Sequence, residues 1–197
     1  MKEVTLQVPD GKAVEWKEVN GVTIPVLVDE PSVEAKKDDR PVIERIKTFE
    51  NAMEELGEDN TFVKEYWAVV NVEIELSADI MAFLKLRIIA AALNEGWIPQ
   101  FTDEEVRWYP WFTLWTKEEL ADKSEEWKKD RALWLFGGDS AVGASCGLAS
   151  ASSYYAWSAS YALISARLAV KNEELAVYFG KQFISIWADY VVIPRNE

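Results

Sequence analysis

Apolar and polar residues alternate near the start of the chain: Val4, Leu6 and Val8, then Val14 and Trp16, then Val22, Ile24, Val26 and Val28. A period of two marks half-buried strands. The breaks fall at Pro9-Asp10-Gly11 and Asn20-Gly21, residue types that tolerate the positive φ of tight turns. The pattern predicts a β-meander of two or three strands. Polar and charged residues from Asp29 to Arg40, among them Pro31, Lys36, Lys37, Asp38 and Asp39, read as a linker. Residues 1–36 therefore form a meander with its linker, and 37–197 the main domain.

The period then changes. Pro41 stands where a helix opens, with Asp39 as its candidate cap. Val42, Ile46, Phe49, Met53 and Leu56 recur at steps of three and four, predicting one helix that ends at Gly57. A second helical region spans Thr61 to Leu93, interrupted near Ser77, which can cap its second half. There Ile80, Leu84, Ile88 and Ala92 form one stripe, widened by Met81, Leu86, Ile89 and Leu93. So broad an apolar surface implies burial on more than one side. Asn94-Glu95-Gly96 closes it.

Aromatic strands follow, Trp97-Ile98-Pro99 and then Val106 to Trp115. Such density reads as core, the alternative being an exposed row on which sugars stack. Thr116 to Lys129 is charged, with Thr116 and Glu119 at the spacing of a capping box. Its acids, Glu118, Glu119, Asp122, Glu125 and Glu126, read as a solvated face. Ala132 to Phe136 is a short apolar strand. Near the end, Leu168-Ala169-Val170 finishes the sheet, and Asn172 caps a helix with Glu173 and Glu174 in its first turn, where the dipole favours acids. Leu175, Phe179, Phe183, Ile186 and Tyr190 line that helix's inner face, and Val191-Val192-Ile193 returns as a final strand.

Composition narrows the function. The 197-residue chain carries a net charge of -13, which argues against a nucleic-acid groove or an anionic membrane surface. It has no His and only Cys146, so His-based triads, His-ligated zinc, internal disulfides and multi-cysteine metal sites are excluded. Cys146 reads as a small buried hydrophobe. Paired acids such as Asp103 and Glu104 say nothing in so acidic a chain, and Gly137-Gly138 and Gly143 lack the lysine and spacing of a phosphate loop. No catalytic constellation emerges, and no cofactor or metal is expected. The N-terminus resembles neither a signal nor a transit peptide, and the run Ile88 to Leu93 is far too short to span a membrane. The expectation is a soluble protein made in the cytoplasm, which a protein carried on a phage particle satisfies equally.

One stretch stands apart. Between Gly137 and Arg167 there is one acid, Asp139, and no Lys, Glu, Gln, Asn or Met. Ser, Ala, Gly and Tyr dominate it. That alphabet suits a contact surface, with Tyr for amphipathic area and Ser and Gly for adaptable hydrogen bonding. It equally suits tightly packed strands.

Gly137-Gly138-Asp139-Ser140, followed by Ile164-Ser165-Ala166-Arg167-Leu168-Ala169, resembles the variable region of diversity-generating retroelement target proteins. These have a C-type-lectin fold of the formylglycine-generating-enzyme type. Leu93-Asn94-Glu95-Gly96-Trp97 and Trp108-Tyr109-Pro110-Trp111 resemble a scaffold shared by phage and prophage proteins. The family's opening turn has a Trp that is absent here, and its closing strand has Gly-Phe where Ser165-Ala166 stands. Some thirty residues also follow Arg167, whereas the family's segment closes the chain. In that family adenine-directed mutagenesis of Asn codons excludes Lys, Glu, Gln, Met and Trp, an exclusion that the stretch obeys everywhere but Trp157.

The resemblance implies an α+β fold with a C-type-lectin-like core over 37–197, an N-terminal β-meander and flanking helices. It implies a diversified, ligand-binding surface made by Asp139, Ala141, Val142, Ser145, Ser150, Ser152, Tyr154, Tyr155, Ser160, Tyr161 and Leu163. Gly137, Gly138, Gly143, Gly147, Trp157 and Arg167 would hold the frame. The implied partner is a protein or carbohydrate on a cell surface, met by a phage- or prophage-encoded receptor-binding or adhesion protein. In the competing class, a phage assembly protein, the same stretch packs inside an oligomer. The calcium signatures of sugar-binding lectins and the cysteine pair of formylglycine-generating enzymes are both missing.

Overall fold

The structure, a computed structural model, describes residues 7–9, 12–19, 21–29, 38–72, 75–135, 147–157 and 166–192. The chain divides into two compact units, Met1–Asp39 and Arg40–Glu197. In the first, β1 (Lys12–Val19) and β2 (Val22–Asp29) pair as an antiparallel hairpin, Lys12 opposite Asp29 and Val19 opposite Val22. Gly21 turns the chain at φ 79°, a conformation open to glycine at no steric cost. The further strand expected at Val4 and Leu6, and the linker residues Pro31 to Lys37, lie outside the described residues.

The second unit mixes helices with an antiparallel sheet, an α+β arrangement. Where one helix was expected from Pro41 to Leu56 there are two, α1 (Val42–Arg45) and α2 (Phe49–Leu56). Pro41 is the N-cap residue itself, with ψ 141° and no side-chain cap bond, so neither it nor Asp39 plays the expected part. The break has a tertiary cause: the Tyr178 hydroxyl donates to the Ile46 carbonyl at 2.6 Å and the Gln182 amide to that of Lys47 at 2.7 Å. Thr48 and Asn51 then restart the helix with a reciprocal capping box. Val42, Ile46 and Phe49 stay buried on one side, which is why the period survives the break. Gly57 ends α2 at φ 76°.

Asn60 caps α3 (Thr61–Val70), its side chain accepting from the Phe62 amide at 2.9 Å. The expected interruption precedes α4 (Ala78–Leu93), although Ser77 makes no side-chain cap bond. Leu86, Ile88, Ile89, Ala90, Ala92 and Leu93 are all buried, so the second half of α4 is enclosed except along the partly buried Arg87 and Ala91, while Ile80 at its start is exposed. Around it pack α2, α3, the 3₁₀ turn Ala166–Leu168 and two C-terminal helices, α7 (Glu173–Gln182) and α8 (Ile184–Val191). Two short helices, α5 (Lys117–Ala121) and α6 (Glu125–Asp130), precede the last strands.

The sheet has three strands in the order β3 (Val106–Trp115), β5 (Gly147–Trp157), β4 (Trp134–Leu135). Trp97 to Pro99 is irregular rather than a strand, because the Glu105 carboxylate takes the backbone N–H groups of Gln100 and Phe101 at 2.8 and 2.9 Å. At the other end, α8 runs through Val191, and Val192 is its buried cap rather than the start of a strand. Val170 alone joins the sheet, bridging Trp108 with reciprocal backbone bonds of 3.1 and 2.9 Å. Asn94 fixes this junction: its amide donates to the Ala169 carbonyl at 2.8 Å and its oxygen accepts from the Lys171 N–H at 3.0 Å. No helix among the described residues is long and apolar enough to cross a membrane.

Candidate ligand-binding face

β5 is the central strand of the sheet and the part of the Gly137 to Arg167 stretch that the structure describes, with 166 and 167. Its first half is sealed. Gly147, Leu148, Ala149 and Ser150 are all buried, and a Cβ on Gly147 would lie 2.8 Å from Leu133 Cδ1 and 3.0 Å from Leu120 Cδ1. A side chain there would have to displace the ends of Leu133 and Leu120.

A β-bulge then exchanges the faces. Trp111 stands opposite Ser152 and Phe112 opposite Ser150, leaving Ala151 as the extra residue. Because strand side chains alternate, one inserted residue sends the following set to the other face. Phe112 and Ser150 turn inward, Trp111 and Ser152 outward.

Beyond the bulge the sheet carries four rings in contact. Trp108 lies 5.3 Å from Tyr155, Tyr155 6.3 Å from Tyr154, and Tyr154 5.3 Å from Trp111, centroid to centroid. The fractional exposures are 41% for Tyr154, 49% for Tyr155 and 49% for Trp111, while Trp108 is half-buried. Ser152 is exposed beside them, its hydroxyl donating to the Ser153 carbonyl at 2.8 Å, and the Ser153 hydroxyl reaches Glu173 Oε1 at 3.2 Å. This is an amphipathic strip of apolar ring area flanked by hydroxyls.

The strip has a rigid backing. α7 packs on β3 and β5, coming closest at Gly180, where a Cβ would meet Pro110 Cβ at 2.9 Å. Tyr109, between the two tryptophans in sequence, is buried, and burial pushes its phenol above the ordinary tyrosine range against the smaller opposing effect of Arg107. The four rings therefore stand on an immobilised sheet.

Of the residues expected at a ligand surface, Ser152, Tyr154 and Tyr155 are brought together on this strip. Ser150 is not. It is 1% exposed, its Oγ is buried without a hydrogen-bond partner, and its amide is bonded to the Arg131 carbonyl at 2.8 Å. The bulge turns it into the protein, and it faces no ligand. Asp139, Ala141, Val142, Ser145, Ser160, Tyr161 and Leu163 lie outside the described residues, as do Gly137, Gly138, Gly143 and Cys146. Sequence reasoning read Trp108 and Trp111 as core with their neighbours: Trp108 does pack against the main core, whereas Trp111 is exposed. Alternation could not have separated them, because the buried Tyr109 and the exposed Trp111 share a parity that Trp108 does not.

Among the described residues no three acidic or cysteine side chains gather as a metal would require. Comparison of the chain with protein-family profiles, with curated proteins and with solved structures finds no match.

Proposed function

We propose that the chain is a binding protein that presents the β3/β5 aromatic strip to a protein on a cell surface, as a C-type-lectin-like relative of the retroelement-diversified proteins of phages and prophages. The observation that supports this reading is the run of four contacting rings, the exposed Trp111, Tyr154 and Tyr155 and the half-buried Trp108. Trp and Tyr concentrate binding energy at protein interfaces, and rigid rings beside serine hydroxyls are the chemistry of antibody contact surfaces. Burying such rings on a rigid sheet costs little conformational entropy.

The test is binding of fluorescently labelled full chain to a panel of bacterial cells. The wild type is expected to label some of them, protease treatment of the cells to remove the label, and Tyr154→Ser with Tyr155→Ser to weaken labelling at least about tenfold, a hot-spot effect. Labelling that survives proteolysis but is lost after periodate treatment would transfer the reading to a carbohydrate ligand. Undiminished labelling by the double variant would overturn the surface.

A second reading, a phage assembly protein, draws on a different feature. Trp134 and Leu135 of the edge strand β4 are exposed, and an exposed apolar edge is a template for pairing with another chain. Concentration-dependent oligomerisation abolished by Leu135→Lys would favour it.

A further inference from the structure

The first unit ends at Asp39, and none of its described side chains is buried. A lone two-stranded hairpin is marginal in water, and units of this size are ordinarily braced by a disulfide, a metal or association with another chain. The chain has no His, and its one Cys, Cys146, belongs to the second unit. A disulfide within the hairpin and a His- or Cys-ligated metal are therefore excluded, which leaves association. The hairpin's surface fits that role: Trp16 is 65% exposed, Leu27 45% and Ile24 40%, with Trp16 opposite Pro25 and Val14 opposite Leu27 on one face.

The two edges of the hairpin are not equivalent. Its two-residue loop closes on the Val19–Val22 pair, so the odd positions of β1 bond to β2, while the even ones, Val14, Trp16 and Glu18, aim N–H and C=O at the outer edge. The N–H of Lys12, also an even position, accordingly bonds outside the ladder, to the Pro9 carbonyl at 3.1 Å. On β2 the residue opposite Trp16 is Pro25, which removes a donor from that strand's outer edge and blunts it. Extension of the sheet falls to β1.

The sequence of β1 is complementary to an antiparallel copy of itself. Aligned on Trp16, each Glu15 stands opposite Lys17 of the second copy, and Trp16 opposite Trp16. The registers two residues to either side set Glu15 on Glu15 or Lys17 on Lys17. Opposite charges and aromatic rings directly across two strands attract, and like charges repel, so charge selects one register. Within one chain Glu15 and Lys17 pair along the strand at 3.3 Å with both side chains more than half exposed, a contact weak enough to exchange for a partner. We propose that the first unit dimerises the chain, β1 pairing with β1 of a second copy about a two-fold axis at Trp16 to make a four-stranded sheet in the order β2-β1-β1-β2. This contact goes beyond the binding role proposed above and does not depend on the aromatic strip.

Sedimentation equilibrium of the full chain over a wide concentration range is expected to show a reversible monomer–dimer equilibrium. Lys17→Glu and Glu15→Lys are each expected to weaken the dimer at least about tenfold, because each sets two like-charged pairs across the contact. Leu135→Lys on β4 is expected to leave it unchanged. Mixing the Lys17→Glu chain with the Glu15→Lys chain restores opposite charges between chains but not within either one, and is expected to recover dimer to within about threefold of the wild type. In the wild type, the amides of Val14, Trp16 and Glu18 are expected to exchange slowly in the dimer and faster on dilution, a readout that needs no variant. A chain that stays monomeric, a dimer indifferent to both charge reversals, or a mixture no more dimeric than its components overturns the proposal. So does a dimer lost in Leu135→Lys, which would place the contact at β4, or amide protection that persists in the monomer, which would give the β1 edge to another segment of the same chain.

Discussion

Gly180 of α7 and Pro110 of β3 touch so closely that a Cβ added to the glycine would sit 2.9 Å from the proline Cβ, with the Phe112 ring 3.5 Å away. Neither neighbour can give way, since Pro110 is a rigid ring in a strand and Phe112 packs on Trp187 at 5.4 Å. Gly180→Ala is therefore expected to lift the helix from the sheet and to destabilise the second unit by about 1–3 kcal/mol. Chemical denaturation followed by far-UV circular dichroism measures this. A neutral or stabilising effect, as expected of a glycine replaced within a loosely packed helix, would mean that α7 does not bear on β3 as described.

Asn94 ties the end of α4 to the Val170 bridge. Asn94→Ala leaves the Ala169 carbonyl and the Lys171 amide without their partner, at an expected cost of about 1–3 kcal/mol for buried polar groups left unmade. Hydrogen exchange at the Lys171 amide is expected to accelerate in the variant. Unchanged protection would show that another group already satisfies it.

The Tyr178 hydroxyl carries a tertiary bond to Ile46 and is pushed above the ordinary tyrosine range by burial, as Tyr66 and Tyr109 are. Near neutrality these phenols are protonated in the folded and unfolded chain alike. Above about pH 10 the unfolded chain releases phenolic protons that the folded chain retains, so stability falls as the pH rises through that window. Urea midpoints measured from pH 8 to pH 11 are expected to decline at the alkaline end, and Tyr178→Phe to lower stability at pH 8 by about 1 kcal/mol while making the decline shallower. A decline of equal steepness in the variant would remove Tyr178 from the account.

Local signals in the chain were legible where local physics decides. Thr116 accepts from the Glu119 amide while the Glu119 carboxylate returns to the Thr116 amide. Asn172 accepts from the Leu175 amide, and Gly57 ends α2. Caps of this kind need only neighbouring residues. What escaped the sequence reading depends on distant partners. The break after Arg45 belongs to carbonyls taken by Tyr178 and Gln182, 132 and 135 residues away. Trp97 to Pro99 has the residues of a strand, yet Glu105 claims the backbone just beyond it. Ser150 and Ser152 share a parity that puts them on one face of a regular strand, and the bulge at Ala151 separates them. Aromatic density from Trp108 to Trp115 announced burial without saying which rings the sheet would turn outward.

Thr116→Ala removes half of the box that starts α5, whose Leu120 packs over Gly147 at the root of β5. The expected loss is about 1 kcal/mol, read from the urea midpoint, and Thr116→Ser is expected to restore most of it. Equal loss in both variants would place the effect in the threonine methyl group instead.

The account rests on Tyr154 and Tyr155 standing free on the face of a fixed sheet. Nitration of the native full chain by tetranitromethane, read residue by residue by mass spectrometry beside light scattering of the same sample, tests that most directly. Tyr154 and Tyr155 are expected to be nitrated readily, whereas the buried Tyr109 and the half-buried, hydrogen-bonded Tyr178 are expected to resist. Protection of Tyr154 and Tyr155 in an oligomer, lost when the oligomer is diluted to monomer, would contradict the binding surface and assign the strip to assembly.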